Sequence, residues 1–228
     1  MISNDPNLLV LQLVARELES LLDELTLVGG CAVGLLITDQ GRPPIRETVD
    51  VDLITEVTTK ISYYKLSKRL NELGFVQNGD VFCRFTKGPL IIDVMPTDDS
   101  LLGFGSHWYS AAAKKAVTFE LPSGQVIKHV SAPFLLATKL EAFDGRGKND
   151  FMHHDIEDIV NLVDGRPALP DEVSAEDDDL KDYIRDRFDD LLGSGNFTES
   201  IPRHFHPSED HATRLPIILK RMRRLAGL

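Results

Sequence analysis

Two aspartates one residue apart stand in the run TVDVDLIT, and a third stands alone in the apolar run PLIIDVMPT. In a strand, residues i and i+2 share a face, roughly 6.5–7 Å apart. Asp50 and Asp52 therefore present two carboxylates side by side, while Val49, Val51 and Leu53 are expected to point to the core. Anions grouped on one face are unfavourable without a cation between them. Hard carboxylate oxygens suit Mg²⁺, or Mn²⁺ in its place, and Mg²⁺ usually brings substrate phosphates with it. If the two strands are neighbours, Asp50, Asp52 and Asp93 form a metal site able to hold two ions about 3.5–4 Å apart. One would bind a triphosphate and the other would activate an acceptor hydroxyl. Gly29-Gly30 lies upstream in LTLVGGCAVGLLI, where absent side chains let phosphate oxygens approach the backbone at the start of a helix. A solvated sheet face would also explain an Asp-x-Asp pair; the glycines and the third strand aspartate favour the metal.

The elements that must position these groups follow from periodicity. Residues 6–24 have helical spacing, with Leu9, Leu13, Leu21 and Leu25 expected on one apolar face. LTLVGG is a short strand, CAVGLLI a buried helix that TDQGRPP ends, and TVDVDLIT a strand. KISYYKLSKRLNELGF is an amphipathic helix closed by Gly74. VFCRFTKG and PLIIDVMPT are strands joined at Gly88-Pro89, and Pro122-Ser123-Gly124 marks a second hairpin. Ser131 and Pro133 start a helix in which Lys139 sits within the apolar stretch FLLATKLEAF. A cation there needs an anionic partner or a route to water, and Arg146, seven residues on, shares its face. DFMHHDIEDIVNLVDGR is a helix with Ile156, Ile159, Val160 and Val163 inward, stopped by Gly165 and Pro167. An acidic helix, a polar loop GSGNFTESIPRHFHPSED and a basic terminal helix complete the chain. The pattern divides it into an α/β part, residues 1–130, and a helical part, residues 131–228.

Composition narrows the classes. The chain has 228 residues, 42% hydrophobic and 27% charged, within the globular range. No apolar run approaches membrane-spanning length, and MISNDPNLLV lacks the basic region and cleavage site of a secretory signal. Cys31 and Cys83 share no metal-binding or disulfide-framework spacing, so buried thiols in a reducing, cytoplasmic compartment are expected. A formal net charge of −11 argues against nonspecific coating of nucleic acid. The charge is uneven, however. Residues 171–190 are acidic, and the last fifteen carry Arg214, Lys220, Arg221, Arg223 and Arg224, which could grip an anionic partner or pair with the acidic helix at 176–190. Adjacent His153 and His154 are expected on different helix faces, and His204 and His206 lack a third ligand, so no zinc site is assigned. Trp108 and Tyr109 could stack on a base but suit a core.

The set VGGCAVGLL…RETVDVDLI…IIDV resembles the polymerase-β-like nucleotidyltransferase superfamily, whose pattern is Gly-Gly or Gly-Ser, then Asp-x-Asp or Asp-x-Glu, then a third acidic strand residue. RETVDVDL is similar to the R-x-[ST]-x-D-[IV]-D-L variant of the AbiEii-like toxins, whose relatives include the MenT toxins. APFLLATKLEAFDGRGKNDFMHHDIEDIVNL is similar to that branch's lysine helix followed by an acidic helix. The resemblance spans residues 26–165 and implies an α/β (α+β) fold, a nucleotidyltransferase-like mixed β-sheet with flanking helices plus a C-terminal helical bundle. It implies transfer of a nucleoside monophosphate from an NTP to an acceptor hydroxyl, with release of pyrophosphate. Asp50 and Asp52 would be metal ligands and Asp93 the third ligand or the general base. Gly29, Gly30 and Thr48 would line the nucleotide site, Lys139 and Arg146 would meet the nucleotide, and Asp155 or Asp158 would complete the site. Nineteen residues separate Gly30 from Asp50, a departure that implies an enlarged loop at 39–47, and the tail beyond 170 matches nothing in the pattern. The implied acceptor is a tRNA end, a protein hydroxyl or a small molecule of the aminoglycoside type, and an antitoxin protein is an implied partner. The alternatives are a nucleotide-binding regulatory module without turnover, or phosphoryl transfer at the same site.

Overall fold

The computed structural model describes residues 5–39, 41–147, 149–208 and 210–228. The secretory-signal reading rests partly on residues 1–4, and the two expected loops include Gln40 and Glu209; those residues lie outside the described ones. Helix α1 (Leu8–Glu17) is shorter than its periodicity suggested, because residues 19–24 tighten into a 3₁₀ turn. Leu21 and Leu25 are buried as expected, but the buried face of α1 differs. Leu11, Val14, Ala15 and Leu18 are buried, whereas Leu9 is 67% exposed, so the expected Leu9–Leu13 face is corrected. Strand β1 (Thr26–Val28) leads through Gly29 into the seven-residue α2 (Gly30–Leu36). A long irregular loop then reaches β2 (Val51–Thr55).

Helix α3 (Lys60–Glu72) is capped by Thr59, whose side chain accepts from the Ser62 N–H. Strands β3 (Val76–Gln77), β4 (Arg84–Lys87) and β5 (Leu90–Pro96) follow, with Gly88 at φ +57° in the first position of a two-residue hairpin turn. Helix α4 (Tyr109–Lys114) precedes the hairpin of β6 (Val117–Glu120) and β7 (Val126–His129). Together the strands form one seven-stranded mixed sheet, order β3-β4-β5-β2-β1-β7-β6, in which β2 runs parallel to β5 and β1 parallel to β7.

The helical part comprises α5 (Ala132–Arg146), α6 (His154–Gly165), α7 (Leu169–Ser174), α8 (Asp178–Gly193), α9 (Gly195–Ser200) and α10 (His211–Leu225). Helix α5 packs on α6, α7 and α8, and α10 closes over α6 and α8. The hydrophobic core is continuous from sheet to bundle. The segment expected to be a polar loop is corrected: α9 and a 3₁₀ turn occupy it, because Phe197, Ile201 and Phe205 recur at helical spacing and are buried. Among the described residues no helix is long and apolar enough to cross a membrane. Cys31 and Cys83 are free and buried.

Candidate active site

The parallel register of β2 and β5 sets Asp52 directly beside Asp93, while Val28, the last residue of β1, stands opposite Asp52 on the other side. The expectation for Asp50 and Val49 is corrected. Pairing with β1 reaches only as far as Asp52, and pairing with β5 starts at Val51, so the chain before Val51 peels away from the sheet. Val49 is accordingly 77% exposed instead of buried, and Asp50 reaches the site from a bend instead of a strand. Gly29 sits at φ +73°, and a Cβ there would collide with the Asp52 carboxylate. The missing side chain thus makes room for the carboxylate itself. Gly30 makes room in the same way for the Thr48 side chain.

Thr48 is fixed from the N-terminus. Its N–H donates to Asn7 Oδ1 (2.8 Å), its hydroxyl meets Cys31 Sγ (2.8 Å), and Asn7 Nδ2 donates to the Arg46 carbonyl (3.1 Å). Asn7 is buried and carries no signal in a single sequence. Burial, with the nearby Asp52 and Asp50, pushes the Cys31 thiol up to about 12, which disfavours the thiolate.

Facing the carboxylates is a chain of alternating charges. Lys139, 6% exposed, lies between Asp158 Oδ2 (2.6 Å) and Asp155 Oδ1 (3.2 Å), which are three residues apart on one face of α6. Arg146 grips Asp155 through Nε and Nη2, both at 2.9 Å, and Arg46 grips Asp158 at 3.2 and 3.0 Å. Glu157 also lies 3.9 Å from Arg46 Nε, so the wall is a run of basic side chains shared among acidic ones. Asp155 and Asp158 stand behind the basic side chains, whereas Gly29, Gly30, Thr48, Asp50, Asp52, Asp93, Lys139 and Arg146 all line one open cleft of about 790 Å³. Burial and the neighbouring Asp50 and Asp93 charges push the Asp52 carboxyl up to about 7, against the pull of Lys139. A desolvated carboxylate among like charges is where a cation is most favourable, and its hard oxygens fit Mg²⁺ or Mn²⁺.

Arg84 was not anticipated. The β4–β5 hairpin sets it opposite Asp93, where Nε and Nη2 donate to the two Asp93 oxygens (2.8 and 2.7 Å) and Nη2 also reaches Asp50 Oδ2 (2.5 Å). The signal was present in the sequence. A two-residue turn at Gly88-Pro89 pairs 87 with 90, and counting back pairs 84 with 93.

The histidine geometry is also corrected. His153 is the N-cap of α6 and not part of the helix, so its Nδ1 folds back to Asp155 (3.2 Å to Oδ2), and His154 Nε2 lies 3.6 Å from Oδ1. Ligand atoms of His153, His154 and Asp155 lie within 4.8 Å of one another, a grouping that could hold a metal ion and one the three aspartates do not form. Arg146 and Lys139 already neutralise that Asp155, so a metal there would have to compete with two cations. His204 contacts the Phe151 carbonyl and His206 contacts Ser208. Trp108 is core, packed against Phe134 and Tyr183, while Tyr109 lines the cleft.

The mixed sheet and its helices match a nucleotidyltransferase-like fold. An antigenic nucleotidyltransferase-like protein from Paracoccidioides brasiliensis superposes with TM-score 0.52 at 20% identity, over 85% of this chain and 91% of that one. A candidate nucleotidyltransferase from H. pylori superposes with TM-score 0.51 at 12% identity, over 96% and 94%. No protein-family model and no curated protein matches the chain by sequence.

Proposed function

We propose that the protein is a metal-dependent nucleotidyltransferase acting in the cytoplasm. The observation that carries the reading is Asp52 in register with Asp93, against Gly29, in a cleft whose opposite wall holds Lys139, Arg46 and Arg146. Asp50, Asp52 and Asp93 would hold Mg²⁺, which when bound neutralises charge on the transferring phosphate and lowers the pKa of the acceptor hydroxyl. The acceptor hydroxyl would give its proton to Asp93 as its oxygen bonds to the α-phosphorus of the NTP, the bond to the β-phosphate oxygen breaks and pyrophosphate leaves. Lys139, Arg146 and Arg46 would face the triphosphate, held in place by Asp155 and Asp158, so that fixed charges meet the developing charge without reorganising. Thr48 and the Gly29-Gly30 backbone would frame the phosphates. Residues 1–130 would form the catalytic part and 131–228 the part that closes the cleft.

The RETVDVDL motif supports a toxin-like role with a tRNA end as acceptor and an antitoxin as partner. The terminal helix lends RNA binding little support. Arg214 and Arg221 turn inward to Asp164, and Arg224 pairs with Asp171. These partners also correct the expected pairing with the acidic helix. A nucleotide-binding module without turnover is the second reading, favoured by the Arg84 side chain on both Asp93 oxygens.

The test is a transfer assay with each α-³²P-labelled NTP and Mg²⁺, offering total tRNA, cell protein and a metabolite extract in parallel. Label is expected in one pool with the wild type and at least a hundredfold less with Asp52→Ala. Nucleotide-dependent thermal stabilisation with no label in any pool would favour the second reading.

A further inference from the structure

We propose that Arg84 is a built-in cation latch on the metal site: its guanidinium holds Asp50 and Asp93 together when no metal is bound and must leave for a divalent ion to be accepted. The inference rests on the reading of Asp50, Asp52 and Asp93 as metal ligands. Three features set Arg84 apart from a surface arginine that happens to lie near a carboxylate. Its backbone is fixed opposite Asp93 by the register of the β4–β5 hairpin. Its contacts use both Asp93 oxygens and one Asp50 oxygen at once, at 2.5–2.8 Å, so each Asp93 oxygen spends an acceptor site on the guanidinium, and the Arg84 charge opposes a second cation on that carboxylate while the contact lasts. And the planar fork spans two carboxylates that would otherwise repel, the task assigned to the metal.

Asp52 is left outside the latch. The cation that acts on it most strongly is Lys139, which is already shared by Asp155 and Asp158. Two states of one side chain follow. With Arg84 in, the Asp50–Asp93 pair is neutralised by protein; with Arg84 out, that pair is open to a divalent ion. The Arg84 side chain is 30% exposed beside an open cleft, so it can swing to solvent without disturbing the core. An ion delivered with a nucleotide triphosphate brings further ligands that the latch must compete against, so the latch couples metal occupancy to nucleotide arrival.

Because the metal must displace a bound competitor, its apparent affinity is reduced by the latched fraction. The test is Mn²⁺ binding to the full chain without nucleotide, read from the loss of the free-ion paramagnetic resonance signal. Arg84→Ala is expected to bind Mn²⁺ at least tenfold more tightly than wild type, about 1.4 kcal/mol. Arg84→Lys keeps the charge and loses the fork, and it is expected to show a smaller gain in the same direction. A gain in Arg84→Ala alone would mean that only background charge had changed and would overturn the latch. Equal affinity in all three proteins would overturn it as well, while leaving the metal site intact. Binding lost in Asp52→Asn shows that the ion sits at the aspartates. No Mn²⁺ bound by any variant would overturn the metal reading and the latch with it. Thermal melting of each variant confirms folding, and Arg84→Lys keeps the proposal testable should Arg84→Ala be unstable.

Discussion

Lys139 owes its charge to two carboxylates. A buried ammonium is unfavourable alone, and here it lies between Asp155 and Asp158, which are in turn held by Arg146 and Arg46. Replacing it with Met would leave two buried anions with only their outer partners, and a loss of about 3 kcal/mol is expected in urea unfolding. Asp155 gives the same cluster a pH signature. Burial alone would raise its pKa, but the Arg146 hydrogen bonds and the Lys139 charge hold it at about 2, below its ordinary 3.8. A depressed carboxylate stabilises the fold fully above its unfolded pKa and loses that contribution as pH falls through the folded one. Stability is therefore expected to drop by about 2 kcal/mol between pH 4 and 2 on account of this group. Asp155→Asn should flatten that part of the profile, and an unchanged slope would remove Asp155 as its source.

At the scale of the element, the site depends on how β1 ends. Gly29 takes φ +73° and ψ −160°, a region that side chains avoid, and it lets the Asp52 carboxylate lie against the chain. Gly124 also has positive φ, at +91°, but a Cβ there meets nothing. Gly124→Ala thus measures backbone strain alone, expected at about 1–2 kcal/mol by chemical denaturation. Gly29→Ala adds the collision with Asp52 and is expected to cost more, with at least tenfold lower transfer activity because the carboxylate is displaced. Equal stabilities of the two variants would show that the close approach does not matter. The hairpins illustrate what periodicity carries well: Gly88-Pro89 and Pro122-Ser123-Gly124 sit where their strands turn. Periodicity failed at α1, where apolar residues recur on more than one face and Leu11, Val14 and Ala15 are the buried ones, and at α9, where polar residues concealed three buried apolar ones.

Across the whole molecule, Asp164 joins three distant segments. Its side chain is fully buried and paired with Arg42 from the loop before β2, and with Arg214 and Arg221 from α10. Asn161 adds an acceptor for Arg42 (2.6 Å), and Asp39 a second partner for Arg214 (3.2 Å). Asp164→Ala would leave several cations without their shared anion, so a loss of about 3–5 kcal/mol is expected, with α10 becoming protease-sensitive before the sheet. A loss under about 0.5 kcal/mol, the scale of an ordinary surface substitution, would show that the cluster is not structurally important. The same cluster docks the loop that carries Arg46 onto α6, and so joins the basic wall of the cleft to the core.

The sequence by itself determined most of the elements, because apolar period, caps and turn residues act over a few neighbours. It also singled out Asp50, Asp52, Asp93, Lys139 and Arg146 as charges in settings where charge needs a reason. Apart from Arg84 and Asp93, which the Gly88-Pro89 turn sets opposite each other, only the tertiary structure decided which charges meet. The Asp52–Asp93 register depends on a parallel pairing between strands about forty residues apart, which no local rule fixes. The pairing of Lys139 with Asp155 and Asp158 depends on how α5 packs on α6. Asn7, Arg42 and Arg46 acquire their roles because a long loop is pinned at both ends. Burial makes such contacts strong by removing water, and burial belongs to the assembled chain and to no residue alone.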